Sequence, residues 1–180
     1  MAILEILKYP DPRLSKPARP VENITDDVVR LINDMLETMY AAPGVGLAAN
    51  QVGVLHRIIV LDVDHENPQR NVYKLINPTI VQSEGEILWE EGCLSVVDFT
   101  AEVRRAAGVE VVAIDDNEKE IKIEAEGLLA VALQHEIDHL DGKLFIDRIS
   151  RLKRDLYTRK RKKMLRTGAT PSTENSRVMI

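Results

Sequence analysis

Residues 127–142 read Gly127-Leu128-Leu129-Ala130-Val131-Ala132-Leu133-Gln134-His135-Glu136-Ile137-Asp138-His139-Leu140-Asp141-Gly142. Leu128 to Leu133 are apolar without a break, and Gln134 is the first polar side chain. The pattern predicts a buried helix stopped by Gly142. Positions i and i+4 share a helix face, so His135 and His139 can aim both imidazoles at one point. Glu136 sits beside them, within reach of a water held there. The plainer alternative is two satisfied histidines on an amphipathic helix. A glutamate between them, at the end of a buried apolar run, favours a catalytic metal site instead.

Such a site takes three protein ligands and keeps a fourth position open. No histidine follows His139, Phe145 stands where a His-x-x-Gly-x-x-His pattern would end, and Glu174 is the only glutamate downstream. A general metallopeptidase is disfavoured on that ground, and the third ligand is sought upstream. His56 borders an apolar segment and His65 lies in the polar turn Asp64-His65-Glu66-Asn67, so both read as solvated side chains. Cys93 is the stronger candidate, because a thiolate suits a soft or borderline divalent ion. It stands between Gly92 and Leu94 in an acid-rich segment rather than on an apolar face.

At 180 residues the chain is the size of one domain with one sizeable core. Cys93 is the single cysteine, so no internal disulfide framework exists. No apolar run approaches the ~20 residues of a membrane span. The start, MAILEILKYPDP, lacks the features of an export or organelle leader, and a cytoplasmic location is expected. The net charge of −5 conceals an asymmetry. Residues 1–150 carry 14 basic and 27 acidic side chains, whereas 151–166 carry nine basic and one acidic, Asp155.

Prolines 10, 12, 17 and 20 keep residues 1–23 from forming a long helix and predict an extended surface arm. Thr25, Asp26 and Asp27 introduce a helix over about 25–41, which Pro43, Gly44 and Gly46 end. The loop Gly44–Gly53 is glycine- and alanine-rich and lets backbone approach something else; without a Lys-Ser/Thr pair it is no phosphate loop. Strands are predicted at 57–63, 72–81 (interrupted at Asn77-Pro78) and 87–89, with a hairpin from 109–114 and 121–124. Ser150 caps a basic last helix that Leu152, Leu156, Tyr157 and Leu165 would hold loosely to the body. The order predicts an α+β fold, mostly antiparallel strands packed around the central buried His-Glu-x-x-His helix, with the basic helix at the C-terminus. One catalytic domain spans 1–166, including that helix at 151–166, and 167–180 reads as a flexible tail.

Three segments together, Gly44-Val45-Gly46-Leu47-Ala48-Ala49-Asn50-Gln51, Glu91-Gly92-Cys93-Leu94-Ser95 and Gln134-His135-Glu136-Ile137-Asp138-His139, closely resemble the motifs of bacterial peptide deformylases. The likeness extends over about residues 3–165. It implies hydrolysis of the formyl group from N-terminal N-formylmethionine of nascent chains, releasing formate. Carried onto this chain, it implies Cys93, His135 and His139 as metal ligands and Glu136 as general acid and base. Gln51 and the Leu94 N–H would face the formyl oxygen. Fe²⁺ is the implied ion, with Zn²⁺ the alternative that the Irving–Williams order favours.

The glycine loop, including Val45 and Gly46, could pair with an extended peptide. Val45, Trp89, Leu128 and Val131 are candidates for the methionine pocket, and Gly92 for a further substrate contact. The chain departs from the common family pattern at Val97 and at Thr100, where an arginine is usual; Arg104 or Arg105 would compensate. Formylmethionyl peptides are the expected partners, with ribosomal RNA for the basic helix. Neither membrane nor DNA is expected.

Overall fold

The computed structural model describes residues 2–168. The helices are α1 (Asp26–Ala41), α2 (Gly127–Leu140) and α3 (Arg151–Thr167). Five strands form one antiparallel sheet: β1 (Gly46–Ala48), β2 (Ile58–Leu61), β3 (Tyr73–Glu84), β6 (Gly108–Ile114) and β7 (Glu120–Glu126), in that spatial order. The remaining two, β4 (Ile87–Cys93) and β5 (Val96–Arg105), make a separate antiparallel hairpin.

Side-chain alternation explains why β2 is apolar throughout. Ile58 and Val60 point to one face and join the cluster of Val28, Ile32, Met35 and Met39 from α1. Ile59 and Leu61 point to the other and join Val131, Leu133, Ile137 and Leu140 from α2. The strand is sandwiched, so neither face calls for polar residues. β3 divides its side chains the same way at Leu75 and Ile76. At Asn77, φ is +53°, and the side chain holds the backbone of Val21 by two 2.8 Å bonds. The ladder to β6 shifts register there, at the interruption expected from Asn77-Pro78.

α2 lies inside the protein, with every residue from Ala130 to Leu140 except Gln134 buried. Its stop is Gly142, at φ +73°, where a Cβ would come within 2.7 Å of the Ser15 carbonyl oxygen. Glycine is required there twice, for the left-handed backbone and for the close approach.

Several expectations are corrected. The N-terminal arm does not simply run over the surface: Leu7 and Leu14 are buried, and Pro12–Ser15 is a turn of 3-10 helix. Leu7 N–H donates to Gln51 O, Tyr9 N–H to Ser95 O and Ala18 N–H to Leu140 O, each at 2.8 Å. The Gly44–Gly53 loop contains β1 and a 3-10 turn at Ala49–Val52. β5 was not expected, because Asp98 and the Arg104-Arg105 pair obscure the inward set of Ala101, Val103 and Arg105. In α3 only Tyr157 and Arg161 are buried; Leu152, Leu156 and Leu165 face outward instead of holding the helix down. Residues 169–180, most of the expected tail, lie outside the described residues.

Candidate metal centre

α2 presents His135 and His139 on one face, and the end of β4 brings Cys93 against them. Their ligand atoms all lie within 4.8 Å of one another, and all three residues are buried. His139 Nε2 is 3.2 Å from both His135 Nε2 and Cys93 Sγ. His135 Nδ1 donates to Glu91 Oε2 at 2.7 Å, which leaves Nε2 as the ring atom turned to the shared point. Burial, reinforced by the neighbouring His135 and Arg105, holds His139 well below its ordinary pKa, so its ring is neutral. Burial, and next the charge of Glu136, pushes the Cys93 thiol up to about 12, against the N–H bonds from Ser95 and Val96. Such a thiol keeps its proton until a cation displaces it. One sulfur and two imidazole nitrogens around one buried point fit a divalent ion of the zinc or ferrous type.

Glu136 is the other unusual group. Both its carboxylate oxygens are buried without a hydrogen-bond partner among the described residues. Burial, and secondarily the charge of Glu91, raises its pKa well above the usual carboxylate value. Gly46 in β1 packs flat on this carboxylate: a Cβ there would lie 2.5 Å from Glu136 Oε1. Gln51 is fixed by accepting the Ala48 N–H at 2.8 Å, and its Nε2 is directed at Ser95 Oγ (3.2 Å) and Cys93 Sγ (3.6 Å). Leu94 occupies the tight turn between β4 and β5, and its carbonyl accepts from Lys8 Nζ at 2.6 Å. Asn50 Nδ2 donates to the carbonyl of His139 and ties the Gln51 turn to α2.

Val45 and Val131 are buried in one apolar cluster, with Trp89 and Leu128 packed against it. Gly92 is buried beside Cys93. His56 and His65 are exposed and take no part in the Cys-His-His group. Cys93 is not set in a polar segment as expected. It is fully buried with Leu7, Leu14 and Val96, because the acids around it point to other partners.

Neither Arg104 nor Arg105 compensates for Thr100. Arg104 pairs with Glu86 at the hairpin end remote from Cys93, while Arg105 is buried against Glu91 and Asp138. Thr100 Oγ1 instead meets Glu90 Oε1 at 3.1 Å.

Sequence reading gave no role to Glu91, Asp138 or Arg148 and considered Arg105 only as a substitute at Thr100; the four form a network against His135. Arg105 gives Nε and Nη2 to the two oxygens of Glu91 (2.6 and 2.9 Å) and Nη1 to Asp138 (2.5 Å). Arg148 grips Asp138 with Nε and Nη2, both at 2.5 Å. Burial alone would raise the Glu91 pKa, but the bonds from Arg105 and His135 outweigh it and hold it at about 2. The available signal was charge placed inside otherwise buried elements, Asp138 within α2 above all.

Comparison with known proteins gives one consistent result. The family model for polypeptide deformylase matches residues 3–155. A peptide deformylase of Thermodesulfovibrio yellowstonii is 58% identical over 160 residues, covering 89% of this chain and 97% of the relative. That of Syntrophobacter fumaroxidans is 54% identical over 166 residues, covering 92% and 98%. The crystal structure of a peptide deformylase from Legionella pneumophila superposes with a TM-score of 0.86 at 49% identity, covering 95% of this chain and all (100%) of that one. Matched by the family model from near its start to within α3, and by relatives over nearly their full lengths, the chain belongs to the polypeptide deformylase family.

Proposed function

We propose that this protein is a metal-dependent hydrolase that removes the formyl group from the N-terminal formylmethionine of new polypeptides, with Cys93, His135 and His139 holding the ion. The observation that carries the reading is Glu136, a buried carboxyl without a hydrogen-bond partner among the described residues, beside three converged donors. When bound, a divalent ion polarises the formyl oxygen and brings the pKa of water down to about 7.

Glu136 takes the proton of the attacking water and hands it to the departing amine as the carbon–nitrogen bond breaks. Gln51 Nε2 and the Leu94 N–H face the oxygen on which charge develops, and one such donor is worth roughly 3 kcal/mol. The Val45–Gly46 backbone, on the outer edge of the sheet, offers strand pairing to an extended peptide, and Gly92 leaves room across the groove. Val45, Trp89, Leu128 and Val131 receive the methionine side chain; their common apolar cluster supports this. Fe²⁺ is the ion we favour, with Zn²⁺ the alternative. Residues 1–166 act as one catalytic domain in the cytoplasm.

The test offers the purified protein formyl-methionyl and acetyl-methionyl versions of one peptide. Formate release from the first, and no deacetylation of the second, is expected. Equal rates on both would overturn the assignment.

The basic helix supports a second reading, contact with ribosomal RNA. Lys153, Lys160 and Lys163 are exposed on α3, and phosphate contacts need only clustered positive charge. Changing all three to Glu is expected to remove salt-sensitive ribosome binding while short-peptide deformylation persists. Undiminished binding would end that reading.

A further inference from the structure

We infer that Arg148, although it touches none of the reacting groups, is a positioning residue for the metal site, acting through Asp138, Arg105 and Glu91 on His135. The inference rests on the metal-site reading above and adds a determinant outside it. The chain of contacts crosses four elements: His135 and Asp138 on α2, Glu91 on β4, Arg105 on β5, and Arg148 just past a 3-10 turn at Phe145–Asp147.

Charge explains why the outermost member matters. Glu91, Asp138 and Arg105 are all buried, so two carboxylates face one guanidinium inside the protein. Arg148 supplies the second cation, and it makes two of the three side-chain bonds that Asp138 receives. With Asp138 held from outside, Arg105 can place two of its donors on Glu91. Glu91 Oε2 then keeps its bond to His135 Nδ1 and fixes the plane of the ring. Without Arg148, Arg105 alone has to serve both carboxylates, and the uncompensated charge of Asp138 draws it off Glu91. The His135 ring loses its brace, although no metal ligand has been altered. Outer partners of this kind typically change metal affinity 10- to 100-fold.

Arg148 is 40% exposed, so truncating it opens no cavity in the core. Arg154 serves as the control, because it pairs with Asp147 at 3.2 Å from the same region and does not reach the network. The experiment titrates Co²⁺ into metal-free protein and follows thiolate-to-metal absorption, with a chelator as competitor. Thermal unfolding of each metal-free protein is recorded alongside.

Arg148→Ala is expected to weaken Co²⁺ binding about tenfold. Arg148→Lys, which keeps the charge but not the two-pronged grip, should fall between it and the parent. Arg154→Ala should bind as the parent does. A purely structural role would lower the unfolding temperature of metal-free Arg148→Ala and leave the Co²⁺ dissociation constant unchanged; that result overturns the inference and leaves the metal site standing. Equal weakening by Arg148→Ala and Arg154→Ala also overturns it. If the parent fails to bind Co²⁺, or Cys93→Ser binds it with the same thiolate absorption, the metal-site reading falls and this inference falls with it.

Discussion

Replacing Glu136 by Gln is expected to lower deformylation of a formyl-methionyl peptide by roughly 10²–10⁴-fold, the usual share of a positioned acid–base group. Gln has the same shape and cannot move the proton, so the loss isolates proton transfer from packing. The fall should appear in kcat, with Co²⁺ binding by Cys93, His135 and His139 retained. A rate within tenfold of the parent would remove Glu136 from the mechanism.

The same substitution should make the metal-free protein more stable at pH 7. The Glu136 pKa is raised in the folded state, chiefly by burial. The unfolded chain therefore gives up this proton first, at about pH 4.3, and stability declines as the pH climbs above that value. Gln titrates in neither state. The gain in unfolding temperature should be present at pH 7 and disappear near pH 4.

Gly46→Ala is expected to cost roughly 10²-fold in kcat, because small displacements of a reacting group are that expensive. The added Cβ would lie 2.5 Å from Glu136 Oε1 and 2.9 Å from both Cδ and Cγ of that side chain. Glu136 is fully buried, so its carboxylate has nowhere to go except out of position. The companion variant decides the cause. Adding Glu136→Asp shortens the opposing side chain and should recover part of the loss relative to Glu136→Asp alone, a coupling that independent sites do not show. Additive losses, or a Gly46→Ala enzyme of full activity, would mean that the contact is not what sets the carboxylate.

The sequence made the donors legible for a reason peculiar to helices. Spacing by four residues guarantees that His135 and His139 share a face, so a local pattern carries a three-dimensional statement. Cys93 lies 42 positions before His135, and no periodicity links them; its choice came from chemistry and from family likeness. The antiparallel α+β arrangement was readable from apolar runs such as 58–61, but not where charge is buried. Arg105 occupies an inward position of β5 and Asp138 an inward position of α2, and a pattern that equates charge with surface misreads both. Leu152, Leu156 and Leu165 mislead in the opposite sense, being apolar and exposed. Gly46 belonged to a recognised loop, yet its contact with Glu136 joins residues 90 positions apart and is invisible without coordinates.

The arm that lies under the Gln51 and Ser95 backbone is itself fastened by α3. Arg161 Nε donates to the carbonyl of Tyr9, 152 residues away, and the Tyr9 hydroxyl meets Thr158 Oγ1 at 3.1 Å. A copy still being translated has the arm well before its fastening, since α3 leaves the ribosome long after Tyr9 does. Full assembly of the wall formed by the arm, Gln51 and Ser95 thus waits on the synthesis of α3.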